Sequence, residues 1–282
     1  MSAPFLSLRY YFIVNRIGYF LIITVTLLFS LMLPAQTSRK PSNKKKAPSQ
    51  NSAVRAVEMP PPYHEMVENS SQAMVVTVPS WNSVDGTLIR YQRTDGKWQQ
   101  VGDKIPIVVG KSGLGWDGII EPTAAEGQPV KKEGDGRSPA GIFRLKEAFG
   151  FDPTSPETKM AYMPLTEYTE CVDDASSNAY NQVVDLKQIP NPDWNSSEKM
   201  RTIDVYQIGL VVDYNSLDIP AAGSCIFVHI WKGPGHGTAG CTAMEEDKLK
   251  DIIGWIDPQK NPLLIQLPAQ MYGAVKESWQ LP

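Results

Sequence analysis

The chain has 282 residues, 42% hydrophobic and 20% charged, which allows one large domain with a sizeable core or two small ones. A formal net charge of −3, with no basic motif carrying interleaved aromatics, excludes a strongly basic nucleic-acid binder. With 21 glycines and 23 prolines the composition favours a strand- and loop-rich domain over a helical bundle.

The first 36 residues have the pattern of an export signal. Arg9 and Arg16 precede an uncharged run, Ile17 to Leu33, followed by Pro34-Ala35-Gln36. The run is slightly short for a comfortable membrane span. Leu33 stands where a cleavage site prefers a small residue, so an uncleaved N-terminal anchor, the chain's route to membrane association, is the alternative. Arg39, Lys40 and Lys44-Lys45-Lys46 oppose translocation under the positive-inside rule. The expectation is nonetheless an exported domain. Residues 37–72, rich in Lys, Ser and Pro and containing Pro60-Pro61-Pro62, read as a flexible linker.

A folded domain is expected over residues 73–268, with 269–282 as a C-terminal tail. Met74 to Val78 is β-branched and stops at Pro79, as a strand does. Leu88–Arg93 and Lys97–Val101 flank Asp95-Gly96, a hairpin turn pair. Ile105 to Val109 continues the sheet, and Gly110 to Gly136 is too turn-rich for regular structure. Arg137 to Phe143 leads into another strand. Residues 150–200, dense in Pro, Asp, Asn and Ser, read as a large insertion or as substrate-facing loops. Val205–Asp213 and Ser224–Trp231 are strands. Leu249, Ile252, Ile253 and Ile256 make one helix face, and Pro262–Leu267 is a final strand.

The chemistry concentrates between Cys225 and Met244. Along Ser224–Trp231 side chains alternate, so Ile226, Val228 and Ile230 belong to the core, while Cys225, Phe227, His229 and Trp231 share the other face. A glycine-rich loop then delivers Cys241 behind Gly240. A thiol of pKa about 8.5 is only a few per cent ionised at neutral pH, and an adjacent imidazole can take its proton. Gly240 permits close backbone approach and a conformation closed to other residues. The Cys241 amide, with neighbouring loop amides, would then face a developing oxyanion. Thr242 and Glu245 have capping-box spacing. A helix starting there would favour the thiolate; one starting at Glu245 or Glu246 would help less.

A zinc site is the rival reading. Cys225 and His229 lie about 13 Å apart along a strand, too far to share one ion. The expectation is therefore no metal and no cofactor. His236, on a Gly-flanked loop, is poorly oriented for a base and suits substrate contact or solvent exposure. Two cysteine arrangements fit: a Cys171–Cys225 disulfide with Cys241 free, or three reduced thiols.

Together these residues resemble the YkuD-type L,D-transpeptidases, bacterial cell-wall enzymes with a catalytic cysteine. The family's strand His and Ser/Thr-x-Gly-Cys appear as His229 and Thr238-Ala239-Gly240-Cys241. Its Thr/Ser-Pro-x-Gly-x-Phe appears as Ser138-Pro139-Ala140-Gly141-Ile142-Phe143. Val109-Gly110-Lys111 and Glu198-Lys199-Met200 extend the likeness, which is to a divergent branch of periplasmic members whose cysteine precedes Thr-Ala-Met. The chain departs from the family at Ile230, where Gly is usual, at Ala243, where Arg or Asn is frequent, and in its short loop.

The resemblance implies a mostly β, α+β fold of β-sandwich type, in the bacterial periplasm or envelope. It implies peptidoglycan stem peptides as partners. Cys241 would attack the carbonyl before the terminal D-Ala of a tetrapeptide stem, forming a thioester and releasing D-Ala. His229 would take the thiol proton and later activate the acceptor amine, giving a 3–3 cross-link. Thr238 would order the loop, Trp231 and His236 would line the donor groove, and Arg137 would meet a stem carboxylate. For Trp231, His236 and Arg137 a purely structural role is the equal alternative. Two other functions fit the same residues: hydrolysis of the acyl-enzyme, as an L,D-carboxypeptidase or amidase, and a non-catalytic wall-binding module.

Overall fold

A computed structural model describes residues 59–118 and 127–282. The signal or anchor at residues 1–36 and most of the linker lie outside the described residues, as does part of the Gly-rich stretch. Among the described residues no helix is long and apolar enough to cross a membrane.

In chain order the elements are α1 (Pro61–Glu68), β1 (Gln72–Val78), β2 (Asp85–Thr94), β3 (Lys97–Val108), β4 (Leu114–Trp116) and β5 (Ser138–Gly150). Then come β6 (Tyr162–Pro164), β7 (Thr169–Val172), β8 (Val183–Asp185), β9 (Ser197–Lys199) and β10 (Ile208–Val212). The chain ends with β11 (Phe227–Ile230), β12 (Thr242–Met244), α2 (Glu246–Trp255), β13 (Leu263–Pro268) and α3 (Ala269–Val275). The mostly β, α+β expectation holds. The β2–β3 turn is the expected Asp95-Gly96 pair, both with positive φ (50° and 74°), which matches the strand twist.

The large sheet runs β10-β11-β12-β3-β2-β1-β13-β5-β4 and closes on itself because β5 also pairs with β10. Strand β5 is long enough to serve both layers of the sandwich. Its residues Gly141–Arg144 face β13, and Leu145–Gly150 face β10. Such a strand, passing from one layer to the other, turns a sandwich corner. Inside lie Val76, Leu88, Ile142, Leu210, Val228 and Ile265. Each such buried side chain contributes about 1.5–3 kcal/mol relative to exposure. Leu249, Ile252, Ile253 and Ile256 pack from α2 as the periodicity predicts.

Three readings are corrected or, where the sequence left alternatives open, decided. First, the domain begins before residue 73 and 269–282 is not a free tail. Tyr63, Met66 and Val67 of α1, with Val275, Trp279 and Leu281, are part of the core. Prolines inside the first turn suit a helix because their missing N–H needs no partner there, so the Pro60–Pro62 run masks a helix start.

Second, Thr242 caps no helix. Residues Thr242–Met244 are a strand between β11 and β3, and α2 starts at Glu246. Ladders with neighbours on both sides outweigh a local cap, and the Thr242 hydroxyl donates instead to Gln266 Oε1 at 2.6 Å.

Third, residues 150–200 are not loops throughout. They contain a three-stranded antiparallel sheet, β8-β7-β9, of strands too short to show a period. Cys171 of β7 is disulfide-bonded to Cys225, Cα to Cα 6.0 Å, and Cys241 is free and buried. Of the two cysteine arrangements, the disulfide is the one present.

Candidate active site

Parallel pairing of β11 with β12 sets His229 opposite Ala243 and Val228 opposite Thr242. Cys241, one residue before β12, thus falls beside Phe227. The Phe227 N–H donates to Cys241 Sγ at 3.3 Å, and the thiol faces the Cys225 carbonyl at 3.5 Å. Cys225 itself has φ +54°, which bends the chain as it enters β11.

The loop from Lys232 to Gly240 is held by the segment after β3. Thr238 N–H donates to the Val109 carbonyl at 3.0 Å, and Lys111 N–H to the Thr238 carbonyl at 2.8 Å. Gly237 must be glycine because a Cβ there would lie 2.5 Å from Lys111 Cα.

Two motifs about a hundred residues apart meet at one atom. The Cys241 carbonyl accepts from the Thr238 hydroxyl at 2.6 Å and from the buried Ser138 hydroxyl at 2.9 Å. Ser138 Oγ in turn accepts from Gly110 N–H at 2.8 Å. Gly240 differs from expectation. It has no left-handed φ, and its N–H donates to Thr238 Oγ1 at 3.2 Å rather than facing outward as an oxyanion donor. Its smallness serves packing: a Cβ would lie 3.2 Å from Ile226 Cδ1 and 3.3 Å from the Arg137 carbonyl.

His229 is 6% exposed, and its Nδ1 is 2.7 Å from the Ile230 carbonyl. A carbonyl only accepts, so Nδ1 carries the proton and Nε2 the lone pair. Burial, with Lys232 adding repulsion, pulls the imidazole down to about 4 despite the Ile230 bond. Burial pushes the Cys241 thiol up to about 12. The charge of Glu198 adds to that, while Phe227 N–H, Tyr206 and Lys131 oppose it. The resting pair is a neutral thiol and a neutral imidazole. Among the described residues no hydrogen bond joins them.

A cavity of about 240 Å³ lies beside His229, lined also by Glu198, Tyr206, Trp231, His236 and Thr238 among others; the lining runs to Ala239, two residues short of Cys241. Trp231, His236 and Thr238 thus share one cavity wall with His229. His236 Nδ1 also lies 3.1 Å from the Pro234 carbonyl. Arg137 is elsewhere: its guanidinium donates to the Trp81 and Leu114 carbonyls and to Asn82 Oδ1. Those bonds make it a tie between loops and leave it outside the cavity lining. Helix α2 begins five residues past Cys241 with β12 between them, so its dipole is not aimed at the thiol. Cys225, committed to its disulfide, is withdrawn from any zinc set.

Sequence reasoning missed Glu198 and Tyr206 as site residues. Glu198 belongs to β9, and two 3₁₀ turns, Met200–Thr202 and Asp204–Tyr206, lead from it to β10. The Tyr206 hydroxyl donates to Glu198 Oε2 at 2.7 Å. Burial raises Glu198 to about 7; the Tyr206 bond opposes this and the charges of Asp173 and Glu133 add to it. An acid and a tyrosine eight residues apart in irregular chain carry no periodic signal.

The family model for the YkuD L,D-transpeptidase catalytic domain matches residues 84–265. No curated protein matches the chain. Among solved structures, that of Bdellovibrio bacteriovorus Bd1075 is similar at 13% identity and a TM-score of 0.36, covering 70% of this chain and 48% of that one. The chain thus spans about half the length of that protein.

Proposed function

Because the chain belongs to the YkuD L,D-transpeptidase family, we propose that it is a cysteine acyltransferase acting on peptidoglycan stem peptides. Cys241 attacks the carbonyl preceding the terminal D-residue of a tetrapeptide stem. The C–N bond breaks, the D-residue leaves as its amine, and a thioester remains on Cys241. An acceptor amine then attacks the thioester, forming a 3–3 cross-link and regenerating the thiol. His229, its Nδ1–H held by the Ile230 carbonyl, takes the thiol proton at Nε2, gives it to the departing amine, and then takes the acceptor's proton at the same nitrogen.

The observation that carries this reading is the pinning of the Cys241 carbonyl by both Ser138 and Thr238 hydroxyls. Those two hydrogen bonds order the backbone of one residue, next to the Thr238-Ala239 wall of a cavity bordered by a histidine of defined tautomer. Preorganised placement of this kind is what acyl transfer requires. The proposal includes export to the bacterial periplasm or envelope, and the Cys171–Cys225 disulfide supports an oxidising compartment.

The test is mass analysis of disaccharide-tetrapeptides incubated with wild type and Cys241→Ala. Dimers lacking one terminal residue are expected with wild type, and a loss of at least about a thousandfold with Cys241→Ala. Shortened monomers without dimers would replace transfer by hydrolysis. Unchanged peptides with both proteins would overturn the enzymatic reading.

A further inference from the structure

Glu198 lines the cavity beside His229, yet lies outside the motifs that mark the site. Its Oε2 accepts from the Tyr206 hydroxyl at 2.7 Å. No hydrogen bond among the described residues occupies its other oxygen. Nor does it form an ion pair there: the lysines that pair with acids meet Asp135, Asp213, Asp257 and Glu246. The charges acting on it, those of Asp173 and Glu133, are acidic too. Asp173 Oδ1 is buried without a partner among the described residues. Glu133 accepts from the hydroxyls of Tyr180 and Ser224, which bring no positive charge. A half-buried carboxylate crowded by like charge costs free energy until a cation meets it.

Tyr206 fixes where that cation would sit. Its hydroxyl is on Glu198, and its ring packs edge-on against His229 with centroids 5.2 Å apart. Glu198 and the imidazole are thus one tyrosine side chain apart on the same cavity. Trp231 is also in the lining, and an aromatic face favours a cation. Lys232 lines the cavity as well, but it is exposed, so water and salt screen its charge. An aliphatic amine titrates near ~10, so an acceptor arrives at neutral pH as an ammonium.

We propose that Glu198 is the ammonium subsite of this cavity, seating the amine-bearing side chain of the acceptor stem peptide beside His229. The inference deepens the stem-peptide reading and rests on it for the ligand's identity. Only binding is involved: the carboxylate accepts hydrogen bonds from the ammonium, and no covalent bond forms or breaks. His229 keeps every proton transfer. The consequence is selectivity. A stem whose side-chain amine is already acylated brings no positive charge and leaves Glu198 unpaired. Spent stems are thereby kept from blocking the acceptor's place.

The test reads binding alone, by calorimetry at pH 8 on the full-length Cys241→Ala protein, which forms no thioester. Glu198 is ionised at that pH, and the peptide amine is still an ammonium. The probes are a tetrapeptide stem with a free side-chain amine and the same peptide acetylated on that amine. The free amine is expected to bind at least about tenfold more tightly. Adding Glu198→Gln is expected to bring that ratio to about one by weakening the free amine alone. Glu198→Asp, which keeps the charge, is expected to retain a preference for the free amine. The inference is overturned if acetylation leaves the affinity unchanged, or if neither peptide binds. It is equally overturned if Glu198→Gln, with its Tm unchanged, weakens both peptides by the same factor. Failed cross-linking with this preference intact would sink the transferase reading alone.

Discussion

The two walls of the site hold their polar groups in different ways. On the closed sheet, His229, Thr238 and Ser138 direct hydrogen bonds at backbone carbonyls. Those partners are neutral and do not titrate, so this wall fixes geometry at any ordinary pH. The three-stranded sheet contributes a half-buried carboxyl, Glu198, bonded to a phenol and crowded by Asp173 and Glu133. That wall changes charge near neutrality. It is fastened by one disulfide, and Cys171 pairs across the ladder with Glu198 itself. One wall fixes positions, and the other carries a group that titrates near neutrality.

The largest way to break this comparison is to unfasten the second wall. Cys171 and Cys225 are 54 residues apart, for which the chain-entropy model assigns about 4 kcal/mol. Cys171→Ser/Cys225→Ser is expected to lower Tm by roughly 10 °C and, by freeing Glu198 from beside the thiol, to lower the pH at which iodoacetamide alkylates Cys241. A lower Tm with the same pH profile would show that the carboxyl keeps its place without the disulfide.

Gly237→Ala attacks the first wall. Its Cβ would sit 2.5 Å from Lys111 Cα and 2.8 Å from Lys111 N, backbone atoms that cannot swing aside. A cost of about 3 kcal/mol in urea unfolding is expected. Cross-linking should fall while the pH at which Cys241 becomes reactive stays where it was. A moved pH midpoint would mean the walls are not separable.

The smallest effect is a pair of opposite pH sensitivities. His229 is depressed to about 4, so the stability its neutral form contributes is full above its unfolded value. It is lost as pH falls from about 6.5 through 4. Glu198 is raised to about 7, so its contribution is full below the unfolded carboxylate value and is lost as pH rises through about 7. Thermal melts across pH should show His229→Gln flattening the acid limb. Glu198→Gln should flatten the limb approaching neutrality. The same limb flattened by both variants would contradict the division between walls.

The legible parts of the fold were those with a local signal. The Asp95-Gly96 turn, the β-branched run of β1 and the apolar face of α2 each follow from spacing alone. So did the split of β11, with Val228 in the core and His229 facing the site, because side chains on a strand must alternate. The illegible parts were short or context-dependent. β7, β8 and β9 are too brief to alternate visibly, and the helix start at Pro61 was hidden among prolines. Thr242 carried a capping signal that two flanking strands overrode. Gly240 illustrates the same limit within the site: its identity was expected from backbone conformation and is explained by packing against Ile226.

By itself, then, the sequence determined the neighbourhood of Cys241: a histidine on a strand, a glycine loop and the cysteine, with a second motif at Ser138–Phe143. These are local or near-local arrangements, and their chemistry follows from residue type and spacing. Only the tertiary structure decided which groups surround the sulfur. It brought Ser138 onto the Cys241 carbonyl, withdrew Arg137 to tie loops, chose the Cys171–Cys225 disulfide and set Tyr206 and Glu198 in the wall of the cavity beside His229. The physical reason is that desolvation and hydrogen bonding, which set each proton's affinity, depend on contacts between distant segments. No window of sequence contains those contacts.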